Sequence, residues 1–172
     1  IDREIAYAEA GEPASIRIKV NSIVDEQVID ALYRASRAGV AVQVLVRGIC
    51  AIRPGLPGLS ENIEVRSILG RFLEHSRIFA FGGGGEPVAL IGSADMMHRN
   101  LDRRVETLLM VQDPAQITFL SGLIGRGMSG EFSSWRLESD GHWERIRFDA
   151  QGNPLKDFQA RLIDYYAKKR RK

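Results

Sequence analysis

His75 and Arg77 are two residues of this chain whose types and spacing suit phosphoryl chemistry. They head an apolar run, Ile78, Phe79, Ala80 and Phe81, that predicts a strand. Period-2 alternation then places both on one face of the chain. An imidazole that titrates near neutrality can move a proton, and a permanently charged guanidinium beside it can neutralise phosphate oxygens. Arg47 closes another apolar run, residues 40–46. If that run is a strand, Arg47 lies at its carboxyl end, where ligands of α/β sheets gather; the competing reading is an ion pair with a glutamate of the following loop. Gly92-Ser93-Ala94-Asp95 and His98-Arg99-Asn100 follow. Ser93 and Asn100 either donate hydrogen bonds to phosphate or cap the turn after a strand.

The elements that must position these residues are readable around them. Ser15-Ile16-Arg17-Ile18-Lys19-Val20 alternates and predicts a strand; Ser22 with Asp25 resembles a capping box opening a helix with Val24, Val28, Leu32 and Ala35 in one stripe. Gly39 stands where that helix would end, and residues 40–46 read as a strand buried on both faces of a parallel sheet. Together these make a right-handed β-α-β unit. Residues 53–62 form a loop rich in proline and glycine. Strands are expected at residues 63–68, 77–81, 88–91 and 104–111, with residues 82–85 turning the second into the third. No helix start follows that glycine run, so it is a turn and not a phosphate cradle. Pro114 opens a helix to about Gly127. Residues 132–137 and 143–148 flank the hairpin signal Asp140-Gly141. Residues 154–169 close as an amphipathic helix with Phe158, Leu162 and Tyr165 on one side.

The 172 residues are read as a single domain, 1–172, with an ordinary globular composition of 44% hydrophobic and 27% charged residues. No apolar run is long enough for a membrane span, and no signal peptide is visible in these residues. The opening Ile1-Asp2-Arg3-Glu4 lacks an initiator methionine and reads as a helix end, so a fragment of a longer protein is expected. The net charge is +2, yet the last five residues are all cations, and without them 19 basic residues face 22 acidic ones. A body at −3 is not a general nucleic-acid binder, so any polyanion site is local, and the tail reads as a disordered solubilising end. Arg99, Arg103 and Arg104 stand among Asp95, Asp102 and Glu106 and read as a structural ion-pair network. His98 and His142 lack metal-ligand spacing to each other or to Cys50 and read as surface residues, and no metal ligand is assigned. The lone Cys50 excludes an internal disulfide, reads as a small hydrophobe at a strand end, and is compatible with a reducing cytoplasm.

Longer stretches carry a family resemblance. They are Ile18-Lys19-Val20-Asn21-Ser22-Ile23-Val24-Asp25, Val46-Arg47-Gly48-Ile49-Cys50, Arg53-Pro54-Gly55 and Gly58-Leu59-Ser60-Glu61-Asn62-Ile63, then residues 70–77, then Ser93-Ala94-Asp95 running on to residues 99–106. In these the chain resembles the C-terminal catalytic region of bacterial polyphosphate kinases that make long-chain polyphosphate. The likeness runs in order over the first two thirds and is loose in the tail. Met96 stands where the family typically has tryptophan.

The resemblance implies an α/β fold, the second of two phospholipase D-like domains: a mixed sheet flanked by helices, with a C-terminal hairpin and helix. It implies reversible transfer of the ATP terminal phosphoryl to polyphosphate, through a phosphohistidine in a preceding domain. The match makes His75 the general acid or base, Arg47 the phosphate clamp and Arg77 a chain-phosphate contact. Mg²⁺ would ride on ATP, held mainly by groups elsewhere. The implied partners are ATP, ADP, polyphosphate, preceding domains of the same polypeptide and, in the full enzyme, further copies of itself. No nucleic acid is expected. The location is cytoplasmic, with any membrane association peripheral, and the chain alone is expected to be inactive. Two other readings stand beside this one. One is a phospholipase D-type phosphodiesterase, against which Gly82 replaces the expected Asp and Arg77 the expected lysine; the other is a non-catalytic polyanion-binding module.

Overall fold

The computed structural model describes residues 1–170 of the chain. At its centre lies the expected β-α-β unit: strand β1 (Ser15–Val20), helix α2 (Glu26–Arg37) and strand β2 (Ala41–Val46), preceded by helix α1 (Asp2–Glu9). The two strands pair in parallel with Ile18 opposite Val44, and β3 (Ile63–Ser67) adds in parallel on the far side of β2. Strand β4 (Arg77–Phe81) runs antiparallel along the other side of β1, followed outward by β5 (Val88–Gly92) and the short β6 (Leu108–Met110). After helix α3 (Pro114–Gly127), the hairpin β7 (Ser134–Leu137) and β8 (Trp143–Ile146) extends the sheet beyond β3, and helix α4 (Phe158–Lys169) closes the described chain. The result is one mixed eight-stranded sheet, in the order β6-β5-β4-β1-β2-β3-β7-β8.

Alternation decides which face each side chain meets. Ile16, Ile18 and Val20 of β1 and Val42, Val44 and Val46 of β2 pack with Ile29, Leu32 and Ala35 of α2. Leu45 and Ile78 point to the other face and pack with Ile124 and Met128 around α3, and with Phe158 of α4. A strand buried on both sides reads as a continuous apolar run, and β2 does. Each such aliphatic side chain contributes about 1.5–3 kcal/mol on burial. Gly39, just past α2, adopts φ +88°, the left-handed conformation that ends a helix without a Cβ penalty.

Four expectations need correction. Helix α2 is capped by Asp25, whose side chain accepts from Val28 N at 3.0 Å, and not by Ser22. Residues 22 and 23 are held extended instead, because Ile23 N donates to Ile49 O and Met96 N to Ser22 O. The strand expected at 104–111 shrinks to Leu108–Met110, the part that pairs with β5, and Arg99–Arg103 before it winds into a π-helical turn. Residues 154–156 are extended, with Pro154 bridging to Phe148 and Lys156 to Phe132, so α4 starts only after Asp157 and leaves Tyr165 exposed. The basic end is helical through Lys168 and Lys169; Arg171 and Lys172 of the expected disordered tail lie outside the described residues. No helix among the described residues is long and apolar enough to cross a membrane.

The opening residues, expected to be a helix end, form the whole of α1. Its Glu4 is 1% exposed, and its carboxylate accepts from Ser15 N and Gly83 N, both at 2.9 Å. It thereby ties α1 to the start of β1 and to the turn after β4. Glu4→Ala orphans two backbone donors, and we expect it to lower the unfolding free energy by about 2–4 kcal/mol. Urea titration followed by circular dichroism measures this; a loss under about 0.5 kcal/mol contradicts the role assigned to Glu4.

Candidate functional site

The carboxyl ends of β1 and β2, the start of β4 and the end of β5 meet at one edge of the sheet. Between β3 and β4 the chain makes an irregular loop, residues 68–76, that delivers His75 to this edge. With no regular structure, its carbonyls must find partners elsewhere. Three cations supply them in succession. Arg47 Nε donates to Glu74 O at 2.6 Å, Arg77 Nη1 to His75 O at 3.2 Å, and Lys19 Nζ to Ser76 O at 3.3 Å. Lys19 also donates to Ser76 Oγ at 2.7 Å and pairs with the Glu74 carboxylate at 3.0 Å. The backbone is pinned while the His75 imidazole stays exposed, with no hydrogen bond among the described residues.

Asp95 stands behind this arrangement. It is 5% exposed and takes Arg77 on both oxygens, from Nε at 3.3 Å and Nη2 at 3.0 Å. It also accepts from Asn21 N at 2.7 Å and Ser22 N at 3.3 Å. Burial alone would push its carboxyl up. The guanidinium of Arg77 and the Asn21 amide outweigh that and hold it below its ordinary value. Asn21 continues the chain of contacts, since its Oδ1 accepts from Arg47 Nε at 2.6 Å. His75, Arg47 and Arg77 are therefore brought to one mouth of the fold. Arg47 meets only neutral oxygens, and its Nη1 and Nη2 make no hydrogen bond among the described residues. Arg77 has three of its five N–H groups engaged, which leaves two.

Ser93 and Asn100 lie beside this group but face another partner. The Ser93 hydroxyl donates to Glu106, Asn100 Nδ2 donates to Glu106 at 2.6 Å, and together they hold that carboxyl below its usual range. Ser93 donates to a phosphate only if Glu106 lets go, whereas Asn100 keeps one amide N–H unengaged but is 4% exposed. The ion-pair network expected around Arg99, Arg103 and Arg104 forms only in part. Arg104 lies 3.4 Å from Glu106, whereas Asp95 turns to Arg77 and Asp102 approaches His98 at 3.8 Å. His98 is half exposed but braces the N-terminus of α2, with Nδ1 3.1 Å from Asp25 and Nε2 2.8 Å from Glu26. His142 is exposed. Burial pushes the Cys50 thiol up to about 11, which leaves it unreactive at neutral pH. The carboxylates at the mouth, Glu74, Asp95 and Glu106, are each engaged by cations or polar donors, so they do not make a set free to hold a divalent cation.

Comparison with known proteins identifies the family and the fold. Residues 1–156 match the family described as polyphosphate kinase C-terminal domain 2. The chain belongs to that family. It is 62% identical, over all 172 residues, to a polyphosphate kinase of Streptomyces coelicolor, of which it covers 23%. It is 50% identical over 150 residues to polyphosphate kinase 1 of Chlorobaculum tepidum, covering 22% of that protein. The crystal structure of polyphosphate kinase from Porphyromonas gingivalis superposes with a TM-score of 0.89 at 34% identity, covering 98% of this chain and 26% of that one. NucT from Helicobacter pylori shares the fold alone, with a TM-score of 0.55 at 13% identity over 74% of this chain and 86% of that one. The chain thus spans about a quarter of the length of the curated relatives it matches.

Lys19, Asn21, Glu74 and Asp95 hold the site together, yet none stood out as a candidate from the sequence. The alternation of β1 does put Lys19 opposite its apolar neighbours, and a lysine there needs a partner. Asp95→Asn leaves Arg77 without its counter-charge, and we expect it to lower stability at pH 7 by about 1–3 kcal/mol. The carboxyl is held low in the folded state, so its contribution is complete above the unfolded value of about 3.9 and is lost as pH falls through the folded one. Denaturant unfolding of both proteins should show a gap constant from pH 7 to 5 that begins to close near the unfolded value. A gap undiminished in strong acid contradicts the assignment.

Proposed function

We propose that this chain forms one wall of an ATP:polyphosphate phosphotransferase site. In that site the terminal phosphoryl of ATP passes reversibly to polyphosphate through a phosphohistidine carried outside the matched quarter of the relatives. His75 acts as general acid or base, since its imidazole is exposed and unengaged on a pinned backbone. Arg47 clamps phosphate with its two unengaged terminal nitrogens, a fork suited to oxygens whose charge is spread in a loose transition state. Arg77 offers its remaining N–H groups to a chain phosphate, and Ser93 and Asn100 form the rim. Mg²⁺ arrives with ATP as a counter-ion of its phosphates. The observation that carries this reading is an uncompensated guanidinium bonded to the residue next to an exposed, unengaged histidine, in a member of this family.

The phosphodiesterase reading fits less well. A Cβ at Gly82 would come within 2.9 Å of Ser15 N, so the backbone closes the position where that pattern has its aspartate.

Two measurements test the proposal. Incubated with γ-labelled ATP and Mg²⁺, the 172-residue chain should acquire no stable label on His75. In the S. coelicolor enzyme with its matching quarter replaced by this chain, His75→Ala should lower kcat for polyphosphate synthesis by about 10²–10⁴-fold. Stable phosphorylation of His75, or full activity of His75→Ala, overturns this division of labour.

A further inference from the structure

Helix α4 reaches the His75 loop through one side chain. Gln159, in its first turn and 5% exposed, accepts from Phe72 N at 2.8 Å. Its Nε2 donates to Phe72 O at 2.8 Å and to Glu74 Oε1 at 2.7 Å. The amide thus pairs with both backbone groups of Phe72, as a neighbouring strand would, and gives its last proton to the glutamate that precedes His75. All its ordinary hydrogen-bonding capacity for donors is taken. Gly70 is what admits it. A Cβ there would lie 2.5 Å from Gln159 Oε1 and 2.8 Å from Cδ, so only a bare Cα lets the amide sit against the loop.

The rest of the loop lacks anchors of this kind. Ile68 anchors its start in the core, but Leu69, Phe72 and Leu73 are 54–67% exposed, so apolar burial does not hold the loop after Ile68. Its N-terminal half hangs on Gln159 and its C-terminal half on Lys19, Arg47 and Arg77. Glu74 is where the two halves join, because the same carboxylate receives Gln159 and Lys19 while its carbonyl receives Arg47. Gln159 lies beyond residues 1–156, the span that matches the family.

The geometry points to Gln159 as a positioning residue for His75, seated by Gly70 and acting through Phe72 and Glu74. This rests on the reading of His75 as the acid or base. Gln159 touches no reacting atom. It sets where the imidazole stands, and a displacement of about 1 Å at a reacting group lowers rate by about 10²-fold.

The test uses Gln159→Met, which keeps the side chain's length and removes its polar groups, and Gly70→Ala, which pushes on the amide from the opposite side. In the chimeric S. coelicolor enzyme, each should lower kcat at least tenfold while KM for ATP stays within about twofold. Gly70→Ala should do no harm in a Gln159→Ala background, where the space it needs is free. In the isolated chain, the His75 ring ¹³C–¹H relaxation should report faster, wider motion in Gln159→Met than in the wild type, with His142 as an internal reference that does not change. Equal kcat for Gln159→Met and wild type, additive losses in the Gly70/Gln159 cycle, or an unaltered His75 ring refutes the positioning role. The relaxation arm decides it if Gln159→Met does not assemble in the chimera. His75→Ala in the same chimera separates the two claims: full activity there refutes the acid–base reading itself, whereas its loss with Gln159→Met intact refutes only the role of Gln159.

Discussion

An irregular loop can present a reactive side chain with fixed geometry only if its backbone is held as firmly as a strand's. Here that requirement is met by cations on three successive carbonyls, Glu74, His75 and Ser76, drawn from β2, β4 and β1 or their ends. Charge-assisted hydrogen bonds are about twice as strong as neutral ones, and those from Arg47 and Lys19 are half-buried, where water competes poorly. Each cation comes from a different part of the sheet. The loop is consequently referenced to the whole central β1–β2–β4 block, and the rigidity of the sheet is passed to a segment with no regular structure.

The arrangement also explains why the mouth carries so many carboxylates for a site that would bind a polyanion. Lys19 and Arg77 are buried or half-buried, and a cation there needs a counter-charge. Glu74 serves Lys19, and Asp95 serves Arg77. Asp95 does more than neutralise. By accepting from Asn21 and Ser22 it fixes the chain as it leaves β1, and Asn21 in turn orients Arg47. One buried carboxylate thereby sets both arginines.

Local signals made much of the fold legible. Alternation marked β1 and β4, an apolar run marked β2, Pro114 opened α3 where expected, and Asp140-Gly141 marked the last hairpin. His75, Arg77 and Arg47 were readable as a candidate site because two of them share a short motif and the third ends a strand. What escaped depends on residues far apart in the chain. Glu4 meets Gly83, Asn21 meets Asp95 and Phe72 meets Gln159 across 79, 74 and 87 positions, and no period or cap announces such pairs. The misplaced start of α2 has the same origin. Ser22 and Asp25 both offer a cap, but Ser22 is already committed to pairing with residue 96, which lies in another part of the sequence.

Charge bookkeeping at the mouth leaves one cation over. Lys19 is matched by Glu74, Arg77 by Asp95 and Arg104 by Glu106, so each pair presents little net field beyond its own dimensions. Arg47 is oriented as tightly as either, yet by the Asn21 amide oxygen and the Glu74 carbonyl, which orient a guanidinium without cancelling its charge. On the proposed reading, a phosphate oxygen approaching this edge finds its strongest attraction at Arg47. Exchanging the two kinds of partner would reverse the outcome: a carboxylate in place of Asn21 would hold Arg47 equally well and abolish the attraction. The neutrality of residue 21 is thus as much a part of the proposed phosphate site as the charge of residue 47.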